Sequence, residues 1–177
     1  MKNIILETER VVMKSPIGMV DSNDILSAIN NKQTLQFLSS APSEYTLETA
    51  ESFLDYLKSV EASEHMLELG VFEKETNSFV GMMTIEDINY DNHSCELGYW
   101  LSKEYTGKGI AYESAKELID FVCNSLGMKV IKAYVIKEHR KSISLLEKLG
   151  FIQKELLLNN EENKGVMVDR YLYVLNN

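Results

Sequence analysis

Apolar and polar positions change their period several times along the chain, and each change marks an element. Residues 4–13 are apolar and β-branched enough for a first strand. Ser22 and Asp24 introduce an apolar stripe at Ile25, Leu26 and Ile29, which predicts a short capped helix. A second helix begins near Thr46, a cap followed by early acids. Its stripe of Ala50, Phe53, Leu54, Leu57 and Val60 keeps the spacing of one buried face. From Met66 the period shortens. The runs 67–72 and 79–85 flank Lys74-Glu-Thr-Asn77 and predict a hairpin, and Asn89–His93 is a second polar turn. It leads into Cys95–Leu101, where Cys95, Leu97, Tyr99 and Leu101 share one face while Glu96 and Trp100 share the other. Gly98 inside that strand predicts a bulge or a close backbone approach.

A longer helix is predicted from about Gly109 to Leu126, burying Ile110, Ala115, Leu118, Ile119, Val122 and Leu126. Val130–Ile136 is a β-branched strand, and 142–149 is a helix stopped by Gly150. Residues 151–158 and 166–175 close the chain as a hairpin around a 159–165 loop. This order predicts a mixed α/β sheet with helices laid over it. No Pro/Gly/Ser linker or repeat interrupts the 177 residues, so residues 1–177 are read as one domain.

Composition narrows the class. Eighteen basic residues against 27 acidic ones leave a net charge of −9, a poor basis for general nucleic-acid binding and a better one for a cationic or amine-bearing partner. Two cysteines, Cys95 and Cys123, are too few for a zinc pattern or a disulfide scaffold. The opening Met1–Leu6 meets Glu7, Glu9 and Arg10 at once, without a leader's apolar stretch, and no run is long enough to span a membrane. The expectation is a cytoplasmic protein with no membrane partner and no metal.

The segment richest in chemistry is Glu104-Tyr-Thr-Gly-Lys-Gly-Ile-Ala111, between a strand and a long helix. A helix start leaves backbone N–H groups unpaired at the positive end of its dipole. Glycine at 107 and 109 removes side chains that would keep an anion from those amides, as a pyrophosphate cradle requires. A P-loop does not fit the spacing. A dinucleotide fingerprint would want Gly or Ala where Tyr112 stands. A plain glycine-rich turn is the remaining alternative.

Three segments together carry a family resemblance: Glu96-Leu-Gly-Tyr-Trp-Leu101, Gly107-Lys-Gly-Ile-Ala111 and Ser142-Ile-Ser-Leu-Leu-Glu-Lys-Leu-Gly-Phe151. They resemble the GCN5-related N-acetyltransferases, and within them the RimJ/RimL type that acetylates N-terminal amino groups of ribosomal proteins. The opening Leu6-Glu-Thr-Glu-Arg10 is similar to that subgroup's first strand. The resemblance implies a mixed, mostly antiparallel twisted sheet with helices on both faces and a central strand pair that splays near Gly98. It implies acetyl-CoA as cosubstrate, its pyrophosphate on the amides of Gly107, Lys108, Gly109, Ile110 and Ala111, with Trp100, Leu101 and Thr106 beside it. Thr106 stands where relatives carry Arg or Gln, and His139 where many carry Asn. Leu146 stands at the position of a tyrosine general acid, so the resemblance moves that role to Ser142. His139 would then hold the cofactor or orient Ser142.

Direct transfer requires a neutral amine. At pH 7 an α-amino group is roughly 10–15% neutral, whereas a lysine-like amine is about 0.04% neutral. Glu96 is the candidate base, acting directly or through a water. A solvated or lysine-paired carboxylate is its structural alternative. For Ser142 that alternative is a helix cap, for His139 a surface histidine, and for Trp100 packing against a helix. Tyr134 could reach the cleft. His65 and His93 read as solvated, and Glu44, Glu48, Glu51 and Asp55 as a wet helix face or a cation lure. No cysteine sits in a nucleophile context. The function expected is acetyl transfer to a primary amine, with a protein N-terminus favoured. A polyamine or aminoglycoside, or a non-catalytic acyl-CoA-binding module, are the alternatives. A homo-oligomer is left open.

Overall fold

The computed structural model describes residues 4–177, so Met1–Asn3 of the opening stretch lies outside the described residues. The first predicted strand is in fact two, β1 (Ile5–Glu7) and β2 (Val11–Lys14). They pair antiparallel across the polar Thr8-Glu9-Arg10, where the Thr8 N–H donates to the Val11 carbonyl at 3.0 Å. Helix α1 (Ser22–Ile29) is capped one residue before the predicted cap. Asp21 accepts from the amides of Asn23 and Asp24, and the Asp24 carboxylate accepts from the Asp21 N–H. A single turn, α2 (Lys32–Leu35), is too short to show a period and was not expected. Helix α3 (Leu47–Val60) is capped by Thr46 as predicted.

The meander follows as β3 (Leu67–Glu73), β4 (Phe79–Asn89) and β5 (Ser94–Leu101). After a 3-10 turn at Lys103–Tyr105 come α4 (Ile110–Asn124), β6 (Val130–Ile136) and α5 (Arg140–Lys148). Last are β7 (Ile152–Asn163) and β8 (Val166–Asn176). Their ladder runs on to Asn163↔Val166, so the predicted 159–165 loop shrinks to Lys164-Gly165. A register shift between Leu157 and Glu161 absorbs the polar asparagines that had suggested a loop.

The eight strands form one sheet in the order β1-β2-β3-β4-β5-β6-β8-β7, in which only β5 and β6 run parallel. One face carries Cys95, Leu97 and Leu101 against Ile110, Ala115, Leu118 and Val122 of α4 and Ile143 and Leu146 of α5. The other face presents Phe79 and Trp100 to a cluster of Ile25, Ile29, Leu35, Tyr45 and Ala50 from the α1–α3 region. Helices therefore cover both faces, and truncating a fully enclosed side chain such as Leu118 to alanine would cost about 2–5 kcal/mol. No helix among the described residues is long and apolar enough to cross a membrane.

The functional consequence lies between β5 and β6. They share only the pairs Ser94↔Val130, Cys95↔Ile131 and Glu96↔Lys132, after which the ladder stops. Leu97–Leu101 and Ala133–Ile136 thus diverge and leave a gap in mid-sheet. The bulge is not at Gly98: the register shift lies in β4 between Glu86 and Asn89, where Asp87 adopts φ 49°. Gly98 is instead a close approach, since a Cβ there would lie 2.5 Å from Thr84 Oγ1. The strip between Glu96 and Trp100 is left without a side chain.

Candidate active site

The glycine-rich turn sits at the head of α4. Gly107 and Gly109 adopt φ 75° and 83°, and the space where a Gly107 side chain would project is empty to 4 Å. Gly109 caps α4 with no side-chain hydrogen bond, so the first amides of the helix keep no protein acceptor. Among the described residues the N–H groups of Gly107, Lys108 and Gly109 donate to no protein group either. Outward amides at a positive helix end, clear of side chains, fit a diphosphate. Ile110 and Ala111 contribute backbone alone, because their side chains turn into the core.

Neighbouring side chains are more committed than the sequence suggested. Thr106 Oγ1 donates to the Lys103 carbonyl at 2.9 Å, closing the 3-10 turn. Lys108 Nζ lies 5.1 Å from the Tyr105 ring centroid. Leu101 is a core residue, and Trp100 meets Phe79 edge-on at 5.9 Å on the α1–α3 side. Arg10 escaped notice as a site residue. Its Nη1 donates to the Lys108 carbonyl at 2.8 Å while its Nη2 pairs with Glu113 at 2.6 Å, so the polar turn after β1 clamps the cradle.

Glu96 stands where the β5–β6 ladder ends, on the wall of a cleft of about 390 Å³ that also includes His65, Asp87, Lys132 and Tyr134. Burial, then the negative charges of Glu86 and Asp87, push its carboxyl up to about 7, against the weaker pull of Arg170 and Lys132. Glu86 lies directly opposite on β4, and burial raises its carboxyl as well. Tyr134 reaches the cleft, as its strand position allowed, with Arg170 over its ring at 4.9 Å. His65 is exposed, as expected, with its Nδ1 2.9 Å from the Ile88 carbonyl.

On the opposite face α5 begins two residues earlier than predicted, with His139 at its cap position and no side-chain cap. Ser142 is therefore a first-turn residue, and its Oγ lies 2.8 Å from the Tyr99 hydroxyl. His139 stacks on Phe37 at 4.0 Å and 6°. Burial, with a smaller contribution from Lys141, lowers its pKa to about 4, so it is neutral at pH 7. Phe37 belongs to a segment strapped down by the β7–β8 turn. Asn163 donates to the Gln36 carbonyl at 2.8 Å, and the Lys164 ammonium donates to the carbonyls of Leu38 and Ala41.

Glu96 and Ser142 thus lie on opposite faces of the sheet, with the β5–β6 gap between them and an anion cradle at its mouth. That arrangement offers a slot between two strands with an anion site at one end. The model of the acetyltransferase (GNAT) domain matches residues 12–152, and the chain belongs to the GNAT acetyltransferase family. It is 27% identical over 171 residues to the uncharacterized N-acetyltransferase p20 of Bacillus licheniformis, covering 96% of this chain and 94% of that one. The fold is shared with the ribosomal L7/L12 α-N-protein acetyltransferase RimL in complex with coenzyme A, at a TM-score of 0.84, 16% identity and 98% coverage of both chains. It is shared also with a spermidine N-acetyltransferase from Vibrio cholerae in complex with CoA and spermine, at 0.77, 17% and 96% of both.

Proposed function

We propose that this protein transfers acetyl from acetyl-CoA directly to a primary amine, and that the amine is a protein N-terminal α-amino group. The observation that carries the transfer chemistry is the glycine turn at Gly107–Gly109 with its unpaired amides, opening onto a gap walled by Glu96. The amides of 107–111 hold the diphosphate. The pantetheine then lies along the unpaired edge of β5, past Trp100 and Leu101, with the thioester between Glu96 and Ser142. His139, neutral and backed by Phe37, offers an uncharged wall beside it.

Glu96 as carboxylate takes the proton of the arriving ammonium, directly or through a water. The nitrogen lone pair then forms the C–N bond, the C–S bond breaks with its electrons leaving on the CoA sulfur beside Ser142, and the nitrogen sheds its second proton to solvent water. A base near 7 matches an α-amine of about 7.7–8.0 within roughly one unit, whereas an aliphatic amine near 10.4 lies more than three units away. This match supports the N-terminal acceptor, as does the likeness to the ribosomal-protein enzyme.

One observation favours a second reading. Burial, and behind it the charge of Glu86 on β4, raises the carboxyls of Glu68 on β3 and Glu96 on β5, and such a carboxylate row suits a polyamine. The likeness to the spermidine enzyme agrees with it. Thiol release from acetyl-CoA, measured with peptides bearing free N-termini, with polyamines and with aminoglycosides, decides between the readings. Release with peptides alone supports the proposal, and release with polyamines alone replaces it by the second reading. CoA binding without release under any acceptor leaves a binding module.

A further inference from the structure

The mechanism above uses Ser142 but not the buried phenol that touches it. Alternation along β5 puts Tyr99 in an apolar row, and Leu97 and Leu101 on that face are core. Its hydroxyl, however, lies in the stretch where β5 has left β6 and meets Ser142 Oγ at 2.8 Å. No other hydrogen-bond partner of that phenol is present among the described residues. Ser142 is a first-turn serine, yet its hydroxyl faces Tyr99 rather than capping the helix. Leu146, one turn further along α5, is 1% exposed and carries no proton.

We propose that Tyr99 is a positioning residue for the leaving group: its phenol donates to Ser142 Oγ and so turns the serine proton toward the thioester sulfur. This rests on the acetyl-transfer reading. A serine hydroxyl has one hydrogen and two lone pairs. In the reverse sense the phenol hydrogen would face the sulfur, but a phenol is the more acidic hydroxyl and an aliphatic hydroxyl the better acceptor, so Tyr99 is the donor of the pair. With Tyr99 donating, both hydrogens are used once a thioester occupies the gap. As the C–S bond breaks, the electron pair stays on sulfur, the thiolate accepts the Ser142 hydrogen bond, and it takes its proton from solvent on release. Tyr99 keeps its own proton throughout. Burial pushes the phenol up to about 12, well above an ordinary thiol near 8.5, so transfer from it to the thiolate would be uphill.

The test is a double-mutant cycle on Tyr99→Phe and Ser142→Ala, read as kcat, KM for acetyl-CoA and melting temperature. Tyr99→Phe is expected to lower kcat by about tenfold with KM and melting temperature nearly unchanged. In the Ser142→Ala background it is expected to do nothing further, and Ser142→Thr, which keeps a hydroxyl, is expected to restore the dependence on Tyr99. Losses that multiply, a fall in melting temperature that tracks the loss of rate, or wild-type kcat in Tyr99→Phe would overturn the assignment. An active wild type with an indifferent Tyr99 sinks this inference alone. A wild type that releases thiol with no amine sinks the reading beneath it as well.

Discussion

Arg10 and Glu113, 103 residues apart in sequence, form a two-pronged ion pair that ties the first hairpin to the opening turn of α4. Glu113 Oε2 accepts from Arg10 Nε at 2.8 Å and from Nη2 at 2.6 Å, while Oε1 accepts from the Arg10 backbone N–H at 2.9 Å. The third prong, to the Lys108 carbonyl, fixes the peptide between the two glycines. Planar guanidinium geometry makes this possible, and lysine cannot reproduce it.

Loss of that clamp should therefore appear as weaker cofactor binding. Arg10→Ala is expected to raise the Kd for acetyl-CoA roughly three- to tenfold, the equivalent of about 1 kcal/mol for a pair that is part exposed. The kcat should change less. Arg10→Lys should resemble Arg10→Ala, and calorimetric titration with acetyl-CoA measures both.

The pH profile should report Glu96. Its base form exists above about 7, so kcat/KM for the amine should rise with pH through that region, together with any titration of the acceptor itself. Glu96→Gln should lower kcat by about 10²–10⁴-fold and remove the limb, with acetyl-CoA affinity nearly intact. Glu86→Gln removes a neighbouring negative charge, so it should move the limb to lower pH while leaving the enzyme active. Unchanged profiles in both variants would take Glu96 out of the mechanism.

Much of this fold was legible because its helices and strands have clean periods. Strand β6 and the buried face of α4 fall where the alternation and the 3.6-residue stripe put them. The hairpin at Thr8–Arg10 was hidden because three polar residues in an apolar run carry no glycine or proline signal. Glu96 and the glycine turn announced themselves through local chemistry. Arg10, Tyr99 and Phe37 did not, because each acquires its role from a partner 43 to 103 residues away. Tyr99 was hidden further by its polar tip, since alternation sees only the ring.

His139 should report on its Phe37 roof. Enclosure now holds the imidazole near 4, so opening it to water with Phe37→Ala should raise the pKa toward the ordinary 6.5. NMR titration of the ring protons measures the shift directly. A value unmoved by the substitution would show that Phe37 does not exclude water from it.

Glu68 supplies a stability test away from the reacting atoms. Burial raises its carboxyl from 4.5 to about 7, although Tyr56 donates to it at 3.0 Å. Between those values the native state binds more protons than the unfolded chain, so this group makes stability fall as pH rises. Glu68→Gln keeps an acceptor for Tyr56 and should raise the melting temperature at pH 8 by about 2–4 °C, the effect of about 1 kcal/mol in a chain this size. At pH 5 the two proteins should melt together, and thermal scans at both values check it.

The most direct measurement is a calorimetric comparison of acetyl-CoA with acetyl-pantetheine, which keeps the thioester but lacks the phosphoadenosine and with it the diphosphate. If main-chain amides at Gly107–Ala111 grip that group, acetyl-CoA binds and acetyl-pantetheine binds at least about a hundredfold more weakly, the equivalent of about 2.7 kcal/mol. Equal affinity for the two, or no binding of acetyl-CoA, would contradict the assignment of this turn.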